Sequence, residues 1–502
     1  MRTNYLFLLD FVNKSAKKGD EMTNYDLYMQ ILKKELPIGK SFDMLERKLQ
    51  IGGRAASMFF VDGLTDGEKA QHILAYLMRV PSAAMKGVSS SQEFIERSLP
   101  FLDVTVIKGE TAGDCYRQAL PRLYAGLVLL VAEGLDNLIV IDCRSYPGRS
   151  VEEPAKEQSL RGAKDGFTEN MMDNVSLIRR RIRDNHLIFK VYNVGRASKA
   201  DVVLAYMDDR AEKQVTDKID RALIKMAAEA SANYDSDVLS VADQSLLARL
   251  LTALGAAPGL NPFPKVRYTQ RPDVACAHLA EGKVAIITDN SPTVMLLPVS
   301  IFEFFQDVDD YYFPQLTGNY FRLIRIVNFA LILFLTPVYL LITQYEEFTP
   351  EVLKFFVPEE DFAIPIFWQF ILLEIAVDAL KLASLNTPSS LGMSLSVIGA
   401  LILGEFSINS GWFIAQTILC MAVVALAAFT QPSIELSYAM KFCRIFMLVS
   451  AQILGIAGAV IAAVISTVIM ATTRTVPGKS YLYPLIPFHW NALKRLIFRT
   501  QK

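Results

Sequence analysis

The strongest constraint on this chain is a set of long apolar runs confined to its last third. A bilayer core about 30 Å thick asks for about 20 apolar residues at 1.5 Å each. Residues 323–343, interrupted by Asn328 and Pro337, and residues 411–430 meet that length. Residues 391–406 are slightly short, and residues 442–472 are overlong, with Gly455 and Gly458 placed where a bend or hairpin fits. At least four membrane segments are therefore expected. Charge follows the same division: residues 319–502 hold 12 Lys+Arg and 10 Asp+Glu, against 51 and 52 in all 502 residues. A net charge of −1 removes the broad basic field of a nucleic-acid binder.

Flanking charge predicts orientation. Arg322 and Arg325 precede the first run, whereas Glu346, Glu347, Glu351, Glu359, Glu360 and Asp361 follow it, which puts the large preceding region inside. Arg474, Lys479, Lys494, Arg495, Arg499 and Lys502 put the tail inside as well. The number of crossings is then even, four or six, and Lys441 and Arg444 after residue 430 favour six, with 442–472 folding back.

Residues 362–385 are apolar but carry Glu374, Asp378 and Lys381, spaced to share one helical face. Ionisable groups at membrane depth are expensive and look toward a bundle interior or water. Two readings stay open: a pore-facing or re-entrant element, and an interfacial helix with an Asp378–Lys381 pair. In the neighbouring run Gly392, Ser396, Ala400 and Gly404 recur every fourth residue, followed by Glu405. Such a stripe permits close helix packing within or between subunits, and a helix around a narrow pore tolerates the same pattern.

The region before residue 319 reads as α/β. Residues 1–50 are charged and read as a helical arm that ends at a Gly52-Gly53 turn. Residues 5–12 are apolar but broken by Asp10 with no cleavage site after them, so they do not read as a signal peptide. Residues 55–61 read as a strand. Thr65, three residues before Glu68, fits a capping box that opens a helix over 66–78. Residues 125–131 and 138–141 form a hairpin pattern. The order recurs as a strand at 202–207, a helix at 211–228 and a hairpin of 283–288 with 294–297. It is either a duplication of one subdomain, 51–145 repeated as 186–318, or a coincidence of common alternation. Residues 146–185 read as a connector, with a helix over 167–182 placing Met171, Val175 and Ile178 on one side. Its Arg179, Arg180 and Arg181 either grip an acid or form a salt-bridged face.

Five scattered cysteines without a CxxC read as reduced thiols filling space, and four histidines lack metal spacing, so neither a metal nor a cofactor is expected. Gly39, Lys40 and Ser41 imitate the end of a phosphate loop, but Lys34 stands where its first glycine belongs.

Three further groups of residues carry a resemblance. Arg271, Pro272 and Asp273, then Glu281-Gly-Lys-Val-Ala-Ile-Ile-Thr-Asp-Asn-Ser-Pro292, Pro298, Phe304-Phe-Gln306 and Asp310-Tyr-Tyr312 resemble the block leading into the membrane in A subunits of spore germinant receptors, the GerA family. Glu152-Glu153-Pro154, Arg161-Gly162, Asp165-Gly-Phe167, Glu169-Asn170 and Arg179 to Arg181 resemble that family's middle block. Val476-Pro-Gly-Lys-Ser-Tyr-Leu-Tyr-Pro-Leu-Ile-Pro487 resembles its tail. The resemblance runs from about Leu36 to the C-terminus. Tyr146-Pro-Gly-Arg149 and Ile182-Arg-Asp184 point to a subgroup that acts beside the receptors.

The resemblance implies a protein of the spore inner membrane, embedded in membrane lipid and acting in germination, with its large domain and tail on the cytosolic side. It also implies a homo-oligomer forming an ion channel, a small membrane partner protein, and germinant receptor complexes as neighbours. Glu374, Asp378, Lys381 and Glu405 are the candidate ion-pathway residues, since acidic rings favour cations, although Lys381 opposes a purely cationic lining. Arg149, Arg161 and Arg179 to Arg181 are the candidate connector residues. The alternatives are a non-conducting scaffold that clusters receptors and a nutrient receptor A subunit itself. An enzyme lacks support: GxSxG, a zinc signature and a dinucleotide fingerprint are all missing.

Overall fold

The computed structural model describes residues 23–99, 104–109, 111–145, 160–194, 200–229, 250–252, 254, 261–307, 309–348, 350–351, 354, 357–358, 362–386, 407–475 and 480–497. The chain divides into two compact units, the first made of Met1–Gln158, Ala163–Leu254 and Tyr268–Leu297. This unit holds two five-stranded sheets of identical topology. The first copy runs α1 (Asn24–Glu35), β1 (Met44–Ile51), β2 (Arg54–Val61), α2 (Gly67–Met78), α3 (Ser91–Ser98), β3 (Val104–Ile107), α4 (Ala112–Leu123), β4 (Val128–Ala132) and β5 (Leu138–Ile141). The second runs α5 (Met171–Arg181), β6 (Leu187–Val194), β7 (Ala200–Met207), α6 (Lys213–Glu229), β8 (Arg267–Thr269), α7 (Pro272–Ala280), β9 (Val284–Thr288) and β10 (Val294–Leu297). Sheet orders β1-β2-β4-β5-β3 and β6-β7-β9-β10-β8 correspond strand for strand.

Both faces of the first sheet are covered. Phe59, Val61, Leu129, Val131, Leu138 and Val140 join one core with α1 and α4, and Ala56, Met58, Leu130, Ile139 and Ile141 join the other with α2 and α3. Strand side chains alternate between faces, so a strand covered on both is apolar throughout. That is why both predicted hairpins read as unbroken apolar runs.

The same backbone device closes α4 and α7. Leu127 N donates to Arg122 O and Gly126 N to Leu123 O; Lys283 N donates to His278 O and Gly282 N to Leu279 O. Each is a Schellman cap with glycine in the left-handed region, φ +90° in both. A Cβ at Gly126 would strike Leu64 O, and one at Gly282 would strike Arg210 O, each carbonyl three residues past the end of its strand.

Several expectations are corrected. Met44–Ile51 is a strand rather than part of a helical arm, paired with β2 through the Gly52-Gly53 turn, whose two positive φ angles suit a two-residue hairpin. Asp66, not Thr65, caps α2: its Oδ1 accepts from Glu68 N and Lys69 N at 3.1 Å, while Thr65 Oγ1 donates to Gly126 O. A carboxylate suits the positive end of the helix dipole, and Thr65 is occupied by a β-bridge to Arg144. Within the supposed connector, α5 packs against α7 as α1 packs against α4, so it is the opening helix of the second copy.

Arg179 of α5 is fully buried. Its guanidinium bonds Asp43 through Nε at 2.7 Å and Nη2 at 3.1 Å, donates to Leu187 O, and lies over the rings of Tyr124 and Phe189. Ser41 Oγ bonds Asp43 and accepts from Phe189 N, which makes the imitation phosphate loop a structural corner joining both copies. The five cysteines are buried free thiols, and burial pushes Cys143 up to about 11 and Cys276 up to about 12.

The second unit comprises Ser159–Gly162, Gly255–Arg267 and Pro298–Lys502. Its long segment starts at Pro298, ahead of the expected residue 319, and within it Asp310 is buried against Arg322 and Arg325. It contains α8 (Gln315–Gln344), α9 (Ile366–Asn386), α10 (Ala415–Phe429), α11 (Ile434–Thr472) and α12 (Trp490–Ile497). Among the described residues, α8 and α11 are long and apolar enough to cross a membrane. The expected run 411–430 contains α10, whose 15 residues span about 22 Å, and residues 391–406 lie outside the described residues.

Hydrogen bonds order this bundle. At one end Asn328 Nδ2 donates to Thr430 Oγ1 and Gln431 Nε2 to Arg325 O. At the other, Gln344 Nε2 donates to Gln452 Oε1, Ala363 N donates to Gly411 O, and Tyr339 packs edge-on against Phe370. The helix α8 and the first part of α11 therefore run one way, α9 and α10 the other. Helix α11 breaks at Gly455, φ 60° and ψ −142°. A Cβ on Gly458 would strike Ser450 O, an atom about 12 Å away along an unbroken helix, so the chain folds back here.

Two outcomes test the duplicated unit. Gly126→Ala and Gly282→Ala should each destabilise the chain by more than the about 1–2 kcal/mol of left-handed strain alone, because a carbonyl blocks the methyl, whereas Gly67→Ala, with open space around it, should not. Arg179→Met should cost about 3–5 kcal/mol by stranding Asp43. Guanidinium unfolding followed by circular dichroism measures all four.

Candidate functional site

The spacing of charges on two antiparallel helices builds the site. Glu374 and Asp378, four apart on α9, face Lys441 and Arg444, three apart on α11, and such spacings place each pair on one helical face. Arg444 Nε donates to Glu374 Oε1 at 2.7 Å, and its Nη2 approaches the same oxygen. Arg444 Nη1 donates to Ile332 O at 2.9 Å, which ties α8 to the pair. Lys441 Nζ lies 3.2 Å from Glu374 Oε2 and bonds Asp378 Oδ2. The Glu374 and Arg444 side chains are each 4% exposed.

A cavity of about 30 Å³ adjoins these groups, lined by Glu374, Asp378, Lys381, Lys441 and Arg444 with Tyr438 and apolar neighbours. That is room for roughly two waters. Asp378 Oδ1 is shielded from solvent without a hydrogen bond. Lys381 Nζ stands 5.2 Å from the centre of the Phe429 ring and 5.6 Å from that of Tyr438, a cation–π arrangement. Asp378, considered from the sequence as a partner of Lys381, also bonds Lys441 of α11.

Seven residues, about 10 Å, before Ile332, a second buried cluster marks the entry of α8. Asp310, fully buried, accepts from Arg325 Nη1 at 2.7 and 2.8 Å and from Arg322 Nε at 3.4 Å. Both arginines that mark orientation in the sequence are thus internal ion-pair partners.

The structure scatters the other candidates. Arg161 lies over Phe313, Arg179 is the buried joint described above, Arg180 is exposed, and Arg181 bonds Asp165 and Leu177 O. Arg149, Gly392, Ser396, Ala400, Gly404 and Glu405 lie outside the described residues. Sequence reasoning uses Lys441 and Arg444 only for topology; two cations three apart, close to an acidic helix face, are the signal of a paired site.

Removing one member of a buried pair strands the other at a cost of about 3–5 kcal/mol. Arg444→Leu and Glu374→Leu should each lower stability by about that amount, and the double variant by less than either single change. A double-mutant cycle on unfolding in mixed micelles measures the coupling.

Stage V sporulation protein AF of Bacillus subtilis (strain 168) is 32% identical over 473 residues, covering 94% of this chain and 92% of that protein. Spore germination protein KA of the same strain is 26% identical over 493 residues, covering 97% and 87%. The crystal structure of the N-terminal domain of the A subunit of the Bacillus megaterium spore germinant receptor GerK3 is similar at 24% identity and TM-score 0.37, over 54% of this chain and 92% of that one. The family described as Bacillus/Clostridium GerA spore germination protein matches residues 30–502, and the chain belongs to it.

Proposed function

We propose that the chain is a multi-pass protein of the spore inner membrane and a component of an oligomeric channel releasing monovalent cations during germination. The carrying observation is that Glu374, Asp378, Lys381, Lys441 and Arg444 turn inward around a water-sized cavity, while α11 turns Ile453, Leu454, Ile456, Val460, Ile461 and Val464 outward. Apolar residues outside and ionisable ones inside is the arrangement lipid imposes. Aromatic residues support the same reading: Trp368, Trp412 and Tyr345 are exposed at the end where α9 and α10 begin, and Tyr311, Tyr312 and Tyr320 at the end where α8 begins. Such belts mark membrane interfaces.

The proposed count is six crossings, taking the two parts of α11 separately and including the apolar run at residues 391–406, which lies outside the described residues. The large domain and the tail then share the cytosolic side. The names of the relatives, a sporulation protein and a germination protein, supply the physiological setting. Germinant receptor complexes and a small membrane protein are the proposed partners.

Flux from potassium-loaded vesicles tests the reading. The reconstituted protein, with its partner where required, should release potassium, and Asp378→Asn should alter the rate severalfold. Absence of flux under both conditions would favour the scaffold that clusters receptors without conducting.

A further inference from the structure

The C-terminal segment has an exposed apolar and aromatic surface next to an unbalanced positive charge. Glu435 is the last acidic residue of the sequence, whereas residues 474–502 carry Arg474, Lys479, Lys494, Arg495, Arg499 and Lys502. The segment is pinned at its start. Tyr481 is fully buried between Phe263 and Phe304, its N–H donates to Thr473 O at the end of α11, and its carbonyl accepts from Ile301 N. Past this anchor Leu482 and Pro484 are still buried, whereas Tyr483, Leu485, Ile486 and Phe488 are exposed, and Trp490, at the start of α12, is 61% exposed. Within α12, which lies against α8, Leu493 is half-buried and Lys494 exposed.

We propose that residues 483–497 form an interfacial element that lies on the anionic headgroup layer at the cytosolic end of the bundle. This rests on the membrane reading above. Exposed aromatic and aliphatic groups beside cations, without a carboxylate in the stretch, match a surface that is apolar below and negative above. The anchor at Thr473 holds the segment at the end of a membrane helix, where such a layer begins. Tyrosine and tryptophan are the side chains that sit at this depth.

Trp490 supplies the probe. In the full-length chain carrying Trp368→Phe and Trp412→Phe, it becomes the single tryptophan. Reconstitution into phosphatidylcholine vesicles, with and without phosphatidylglycerol, is followed by quenching with iodide and with lipids brominated at shallow or deep positions. The expected result is quenching by shallow bromines and shielding from iodide, several times stronger with phosphatidylglycerol. Lys494→Glu with Arg495→Glu should remove that dependence. Trp490 open to iodide in both vesicle types overturns the proposal, as does shielding from iodide without quenching by bromines, which means a protein surface covers it. The matching variant retaining only Trp412 separates the two readings: unquenched by any brominated lipid, it overturns the membrane bundle itself; quenched while Trp490 is not, it overturns the interfacial tail alone.

Discussion

A charge removed from water inside an apolar bundle persists only when the fold brings its counter-charge to it, and Glu374 with Arg444 meets that condition. The register of α9 against α11 follows from it. Glu374 must sit level with Arg444 and Asp378 with Lys441, and this pairing of spacings works only for antiparallel helices. Arg444 also donates to Ile332 O, so three helices are fixed by one guanidinium. Asp310 with Arg322 and Arg325 repeats the solution where the chain enters the bundle. Arginine suits both places because its planar fork bonds a carboxylate and a carbonyl together.

The first unit uses the same chemistry for a different end. Its two copies are each closed by a Schellman glycine, and a buried arginine joins them. Arg179 satisfies Asp43 from the first copy and Leu187 O from the second, with Tyr124 and Phe189 stacked on its faces. Ser41 completes the corner by accepting from Phe189 N. Residues that carry the family resemblance have similar duties here: Gly282 is a helix cap, Arg271 bonds Asp273 and Ala163 O, and Asp310 is buried among cations.

The sequence discloses what apolar periodicity controls and conceals what charge disguises. Central strands such as β4 and β9 are legible because both faces are covered. The strand β1 is not, because Glu46, Arg47 and Lys48 sit on a sheet edge, where charge blunts unwanted pairing and imitates a helix. The Gly52-Gly53 turn signals the hairpin, yet after so charged a stretch it reads as a helix stop. In the bundle, the acidic face of α9 is legible from spacing alone, but its partners lie more than 60 residues away, and periodicity within a segment cannot report which distant segment faces it.

That pairing also limits how ions interact with the site. A carboxylate already bonded to a guanidinium and an ammonium offers a passing cation little net attraction, so the pairing of α9 with α11 leaves Glu374 neutralised. Selectivity for cations needs Glu374 or Asp378 uncovered, and uncovering them separates charges whose attraction grows as the dielectric falls. Water entering the neighbouring cavity lowers that cost by solvating both partners. On the channel reading proposed above, admitting water between α9 and α11 would be the same step as creating an acidic lining, because the carboxylates are exposed only by parting them from Lys441 and Arg444.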